Sequence, residues 1–166
     1  TIPINFNRPI LSTSMTDMWR RWHISLSTWI RDYLYIPMGG SRVSSARSYF
    51  NLLIVMALGG AWHGADWTYV LWGVTGALFM MVERFAFSFP RIKSFYDSIW
   101  RPVRVFYAMF AFGLGTFFFR AHPTRNFSEG LDTALYMIKG AFTFRAGDLA
   151  AVPAMTVVTG SALIFI

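Results

Sequence analysis

The residues best suited to chemistry are a histidine and an aspartate in one short motif, Trp62-His63-Gly64-Ala65-Asp66-Trp67. A lone imidazole can accept a proton from a hydroxyl group that attacks an activated acyl carbon, without a covalent enzyme intermediate. Asp66 follows His63 by three residues, and in a locally helical segment it could orient the imidazole. A structural histidine that bonds a neighbouring helix is the alternative.

The second histidine of interest, His23, lies beside Arg20 and Ser27 in the most patterned part of the sequence. Its position alone favours an interfacial or solvated side chain over a functional one. The third histidine, His122, is interpreted as part of a loop and is assigned no role. The sequence contains no cysteine, so thiolate metal sites and a cysteine nucleophile are excluded. Its spacings also give no Ser-His-Asp triad, phosphate loop or metal-ligand motif.

His63 divides a long apolar segment, residues 49–82, into two arms at residues 49–61 and 67–82. At 1.5 Å per residue these arms reach about 20 and 24 Å, short of the roughly 30 Å hydrocarbon core. We expect the arms to return to one side of a membrane and to hold His63 at membrane depth; one tilted crossing is the alternative. A polar side chain there usually lines an internal cavity, and Gly59 and Gly60 allow close approach.

Apolar side chains recur every three or four residues around His23, which predicts one face of a single helix. The members of this stripe are Trp19, Trp22, Leu26, Trp29 and Tyr33. Ser14 and Asp17 have the spacing of a capping box at its start, and Pro37 ends it. We predict an amphipathic helix at the membrane interface whose stripe serves packing rather than ligand binding.

The remaining segments follow the same alternation of basic and apolar blocks. Residues 85–102 are interpreted as a basic loop with two prolines, and residues 105–119 as a third apolar segment bounded by arginines. Apolar residues at 131, 135, 138 and 142 indicate a modest amphipathic helix. A last apolar run, residues 149–166, predicts another span.

The composition places these elements in a membrane. Of 166 residues, 55% are hydrophobic and 14% are charged, whereas soluble domains have about 25% charged residues. This composition excludes intrinsic disorder. We predict an all-α fold, a polytopic membrane helical bundle with one interfacial helix and short or re-entrant membrane segments. The chain lacks an initial Met and stops within an apolar run, so we expect the internal to C-terminal part of one longer membrane domain.

The net charge of +7 is concentrated in blocks that flank the apolar segments, at residues 1–48 and 83–104. This is the positive-inside pattern of cytoplasmic loops, and it argues against a nucleic-acid partner. Three cations lie off the aromatic stripe: Arg20, Arg21 and Arg31. They form a charged interfacial face or, alternatively, a docking surface for an acidic partner.

Two long motifs and one shorter motif carry a resemblance to a known protein family. The first motif comprises Asn5-Phe6-Asn7-Arg8-Pro9, Trp19-Arg20-Arg21-Trp22-His23-Ile24-Ser25-Leu26-Ser27 and Arg31-Asp32-Tyr33-Leu34-Tyr35-Ile36-Pro37-Met38-Gly39-Gly40. The second is Gly59-Gly60-Ala61-Trp62-His63-Gly64-Ala65. A weaker third similarity is Phe118-Phe119-Arg120-Ala121. These motifs resemble the membrane-bound O-acyltransferase (MBOAT) family, in particular its bacterial branch for alginate O-acetylation and teichoic-acid D-alanylation. The resemblance covers about residues 5–145.

The resemblance implies roles for specific residues and partners. His63 matches the family's essential histidine in a channel through the membrane, and His23 matches a second frequent histidine near the cytoplasmic mouth. Asp66 and Trp62 are expected to support them. The implied donor is an acyl thioester, acetyl-CoA or an acyl carrier protein, with no bound cofactor. The implied partners are membrane lipids, an extracytoplasmic accessory acyltransferase and a polysaccharide acceptor.

We therefore predict a multi-pass plasma-membrane (inner-membrane) O-acyltransferase that acetylates an exported polysaccharide. Transfer of D-alanine to teichoic acid is the alternative within the same class. A transporter whose buried His and Asp relay protons is an alternative from another class. A purely structural membrane subunit is a third interpretation.

Overall fold

The computed structural model describes residues 3–121 and 127–143, and this part of the chain is all helical, as predicted. Its α-helices are α1 (Met15–Arg21), α2 (Ile24–Ile30), α3 (Ser45–Ala61), α4 (Trp67–Ala86), α5 (Pro90–Ser98), α6 (Arg101–Arg120) and α7 (Phe127–Phe142). A 3-10 turn precedes α1 and a π-helical turn, Arg31–Tyr35, continues α2. The predicted span at residues 149–166 and the loop interpretation of His122 lie outside the described residues.

The predicted single amphipathic helix is wrong, because it breaks at His23 into α1 and α2. The predicted cap is present: the Ser14 side chain accepts the Asp17 N–H at 3.0 Å. The stripe does not share one face after the break, since Trp29 and Tyr33 stack on each other and are 52% and 67% exposed. The break rotates the second half of the stripe away from the core.

The two apolar arms form the hairpin α3–α4, which confirms their division at the His63 motif. α4 extends to Ala86 and is about 30 Å long at 1.5 Å per residue, so its predicted shortness is wrong. The arms touch through backbone: a Cβ on Gly60 would lie 2.2 Å from the Tyr69 carbonyl oxygen, and one on Gly73 would lie 2.1 Å from the Met56 carbonyl oxygen. Only glycine permits this approach.

The predicted basic loop is also wrong, because most of it is helical. α4 bends by 109° into α5, whose first residue is Pro90. Proline suits the first turn of a helix, since its missing N–H has no helical partner there. Among the described helices, α6 alone is long and apolar enough to cross a bilayer, and α4 with α5 meets the same criterion as a bent pair.

α1 and α7 pack against the bundle of α4 and α6. From α1, the Trp19 ring lies 5.3 Å from that of Trp72, and the Trp22 ring lies 5.2 Å from that of Phe112. The predicted helix over α7 is present, but Ala134 is its buried centre and Leu135 is half exposed. The buried face is therefore rotated from the predicted stripe towards the small residues that allow close packing.

Candidate active site

His63 lies in the turn between α3 and α4, and four aromatic rings surround its imidazole. Trp72 and Phe119, from α4 and α6, present their rings edge-on at centroid distances of 5.1 and 5.2 Å, and Tyr69 of α4 lies at 6.3 Å. A fourth ring, that of Trp62 in the turn itself, lies at 5.1 Å. The backbone N–H of His63 donates to the Gly60 carbonyl oxygen at 3.0 Å, and this bond fixes the turn. The half-buried imidazole is therefore enclosed on these sides by walls that exclude water.

The electrostatic setting of His63 favours the neutral imidazole. His63 lies in the turn before α4, outside α6 and the bent pair of α4 and α5, which are long and apolar enough to span a membrane. Burial lowers the pKa of His63 below its usual 6.5, and the electrostatic interaction with His23 lowers it further. Because desolvation penalises the cation, the side chain is held in the form that accepts a proton at neutral pH.

His23 occupies the break between α1 and α2 with a φ of 46°, in the left-handed region. This conformation is uncommon outside glycine and is held here by the N-terminal segment. The Ile24 N–H donates to the Asn5 carbonyl at 2.9 Å, and the Ser25 N–H donates to the Asn5 side chain at 3.0 Å. Backbone strain of this kind is often found at functional sites.

Both histidines line one cavity of about 680 Å³ between α1–α2 and the α3–α4 hairpin. The ring of Trp62 contacts both imidazoles, at 5.8 Å from His23 and 5.1 Å from His63. Along α4 the lining extends from Trp72 to Arg84, which corresponds to about 18 Å of helix. The apolar lining between these limits includes Leu26, Ile30, Leu52, Val55, Met56 and Met80.

The two ends of the cavity differ in chemistry. We call the part formed by His23, His63 and Trp72 the histidine end. At the arginine end, Arg84 donates to the Ser48 hydroxyl at 2.8 Å and to the Tyr35 hydroxyl at 3.4 Å.

Two further arginines line the cavity, Arg20 and Arg31, and the latter pairs with Asp32 at 2.7 Å. Within residues 3–121 and 127–143, no carboxylate lies within ion-pair distance of Arg84. The arginine end therefore has positive charge available for an anionic group.

The two residues expected to support the histidines occupy different positions. The Trp62 side chain is 62% exposed, although its ring contacts both imidazoles. Asp66 caps α4, where its side chain accepts the Thr68 N–H at 2.9 Å. The connecting residues form a turn rather than a helix, so the orienting role that a helix would give Asp66 stays a prediction.

Sequence reasoning missed several residues that shape the site. Tyr69 and Trp72 lie three residues apart on α4, and this helical spacing was the available signal for a shared wall. Phe119 belongs to the weak third motif, but nothing local indicated that it contacts His63. Glu83, only 3% exposed, was counted only within a charged block. A charge in an apolar helix is costly, and that cost was the signal for a specific partner.

The fold and the site together define a class of protein: a helical membrane protein with an internal cavity that ends at two histidines. In the described part of the chain, no three His, Asp or Glu side chains come together as a metal-binding group. The side chains present can hold and move a proton at His63.

Comparison with known proteins agrees with this class. The sequence model of the MBOAT family, described as the membrane-bound O-acyltransferase family, matches residues 1–119 of this chain. The chain is 44% identical over 140 residues to the probable alginate O-acetylase AlgI of Azotobacter vinelandii, an overlap of 84% of this chain and 26% of that protein. It is 39% identical over 148 residues to the peptidoglycan O-acetyltransferase of Helicobacter pylori, covering 84% of this chain and 25% of that protein.

A more distant similarity extends to another acyl group. The chain is 34% identical over 93 residues to the teichoic acid D-alanyltransferase of Bacillus subtilis, covering 50% of this chain and 23% of that protein. The chain belongs to the membrane-bound O-acyltransferase family. It spans about a quarter of the length of these relatives.

Proposed function

We propose that the whole protein transfers an acyl group from a cytoplasmic thioester to an extracytoplasmic hydroxyl group. The acyl group is acetate and the acceptor is an exported, alginate-like polysaccharide. The observation that carries this proposal is the position of His63, whose imidazole lies among aromatic rings in the same cavity as His23. The names of the O-acetylating relatives support the choice of acetate.

In the proposed reaction His63 acts as the general base. Its neutral imidazole takes the proton of the acceptor hydroxyl while the hydroxyl oxygen bonds to the carbonyl carbon of the thioester. The carbon–sulfur bond then breaks, and the leaving sulfur takes the proton from the imidazolium to give a free thiol. His23 shapes the same site, and Trp62, whose ring contacts both imidazoles, supports them together with Asp66.

The arginine end supplies a route for the donor. Thioester donors such as acetyl-CoA or an acyl carrier protein carry negative charge, which Arg20 and Arg84 can attract. We place this end at the cytoplasmic face, because cytoplasmic segments are enriched in cations. This placement puts His23 farther from the cytoplasmic mouth than the resemblance implies. The whole protein is then a multi-pass inner-membrane protein, and an extracytoplasmic accessory acyltransferase is its partner in acylating the polymer.

D-alanyl transfer to teichoic acid is the second candidate. The similarity to a teichoic acid D-alanyltransferase favours it, although that similarity covers less of the chain than the O-acetylating relatives do. The proposed proton transfer is the same for either acyl group, so the acyl group itself must be identified chemically.

The test uses the complete gene in its own host, with His63 or with His63→Ala. Mild base releases ester-linked groups from the envelope and exopolymers, and chromatography identifies them. We expect His63→Ala to reduce ester-linked acetate about 100-fold or more, because a general base contributes that much or more. His122→Ala is the matched control, since no role is assigned to this third histidine, and it is expected to leave the esters unchanged.

Protein abundance is matched between variants, because a buried substitution can destabilise the bundle. Loss of acetate supports O-acetylation, and loss of D-alanine in its place supports the second candidate. If both esters persist at equal protein levels, His63 is not the base. The transporter interpretation then predicts loss of substrate movement, and a structural subunit predicts no loss at all.

A further inference from the structure

Glu83 on α4 has a fully formed set of partners that the proposed acyl transfer does not use. Its carboxylate accepts the Met15 N–H at 2.6 Å and the Thr16 N–H at 3.1 Å, and the Thr16 hydroxyl lies at 3.3 Å. Tyr107 on α6 also interacts electrostatically with this carboxylate. A side chain from one helix thus binds the first turn of another helix, 67 and 68 residues away in sequence.

The first turn of α1 needs these partners. The first N–H groups of a helix have no acceptor within the helix, and they carry its positive partial charge. The Ser14 cap accepts only the Asp17 N–H, so Met15 and Thr16 depend on Glu83. Behind them, the Tyr96 hydroxyl on α5 donates to the Thr13 carbonyl. The start of α1 is therefore tied to α4 and, just before it, to α5.

α1 is also one wall of the cavity, and it contacts α4 at successive positions. The Thr16 hydroxyl bonds the Glu83 carboxylate. One turn further along α1, the Trp19 ring packs on Trp72 and next to Gly76. His23 lines the cavity just after the end of α1. On α4, residues 72, 76 and 83 lie on one face at helical spacing. The Glu83 carboxylate therefore fixes the axial position of the wall that carries Trp19 and His23.

We propose that Glu83 is a positioning residue for acyl transfer, which acts by holding α1 in register on α4. This inference rests on the proposed function, because it assigns Glu83 an effect on the rate of that reaction. Glu83 does not line the cavity. Its effect on the reaction passes through α1 to the histidine end.

The test uses the full-length protein in membrane vesicles, with any cysteine outside this cysteine-free segment replaced by serine. Met80→Cys places a thiol in the cavity wall one turn from Glu83, and its rate of reaction with a bulky maleimide reports separation of α1 from α4. This rate is compared between Glu83, Glu83→Gln, the shorter carboxylate Glu83→Asp, and Thr16→Val. Thr16→Val is the matched control, because it removes one hydroxyl and keeps both backbone bonds.

In Glu83→Gln an amide N–H₂ must face a backbone N–H. We expect maleimide labelling to rise at least about threefold, because local opening exposes the thiol. Without the Met80 substitution, kcat for transfer should fall about tenfold or more while the donor KM changes less, because a misplaced wall disturbs alignment. Glu83→Asp should restore part of both effects, and Thr16→Val should resemble the unmodified protein in labelling.

Unchanged labelling in both Glu83 variants would overturn the proposal. Increased labelling with an unchanged kcat would also overturn it. Glu83 would then hold α1 against α4, but the position of α1 would not affect the rate of acyl transfer. A protein that merely loses stability would show less folded material with the same kcat per folded molecule. If the unsubstituted protein transfers no acyl group, the proposed function fails, whereas the labelling comparison still decides whether Glu83 holds α1.

Discussion

The histidine end and the arginine end belong to one cavity but satisfy their polar groups differently. At the histidine end, His23 has a left-handed backbone, and its buried Nδ1 has no hydrogen-bond partner among the described residues. At the arginine end, Arg84, Ser48 and Tyr35 bond one another, with the two hydroxyls 3.0 Å apart. One end leaves a polar atom unpaired, and the other holds its charge in a defined place.

This difference suits the histidine end to the chemical reaction and the arginine end to binding of an anionic substrate group. An unpaired buried nitrogen and a strained backbone cost free energy, about 1–3 kcal/mol each, and such costs persist mainly where function needs them. A guanidinium held by two hydroxyls is preorganised to bind an anion, with little reorganisation on binding. We therefore expect substitutions at the histidine end to affect folding and chemistry, and those at the arginine end to affect binding.

The largest effect is expected for Gly60→Ala, next to the histidine end. The added methyl group would lie 2.2 Å from the Tyr69 carbonyl oxygen, so α3 and α4 must separate. Overpacking against backbone should cost at least about 2 kcal/mol of stability and reduce the amount of folded protein in the membrane. Thermal unfolding and abundance of the full-length protein measure this loss.

Gly113→Ala on α6 is the matched control, because a Cβ there meets no atom within 4 Å. It should keep or slightly increase stability, since alanine favours helix by up to about 1 kcal/mol over glycine. Equal abundance of the two variants would show that close α3–α4 contact is not what supports the histidine end.

A smaller effect is expected for Arg84→Gln at the arginine end. Loss of a charged hydrogen bond to the donor should raise the donor KM about tenfold, with kcat nearly unchanged. Steady-state kinetics with a thioester donor measure both constants. Arg91→Gln on α5, which does not line the cavity, should change neither constant. A fall in kcat with a constant KM for Arg84→Gln would reverse the roles that we give the two ends.

The features that the sequence predicted are local ones. The Ser14 cap, the division of the apolar segment at His63 and the presence of helix over residues 131–142 depend on nearby residue types. The resemblance placed His63 in a channel through the membrane and His23 near its cytoplasmic mouth. Both histidines line one cavity, and their catalytic roles stay predictions.

The features that were missed depend on distant partners. Apolar periodicity continues through His23, and the break there is stabilised by Asn5, 18 residues earlier. The register of α1 follows from Glu83, which periodicity within α1 cannot reveal. Long-range hydrogen bonds, rather than helix propensity, set the break at His23 and the register of α1.

The most direct test of the central claim is the pH dependence of acyl transfer in a single turnover by the full-length protein. A general base must be neutral, and the pKa of His63 is lowered from 6.5. We therefore predict a rate that is half-maximal below pH 6.5 and rises to a plateau at higher pH, because the proton leaves the imidazole as the pH rises through the lowered pKa. His63→Ala should leave a slow residual rate without this inflection. An inflection that persists in His63→Ala, or a rate that still rises above pH 7, would contradict the assignment of His63 as the base.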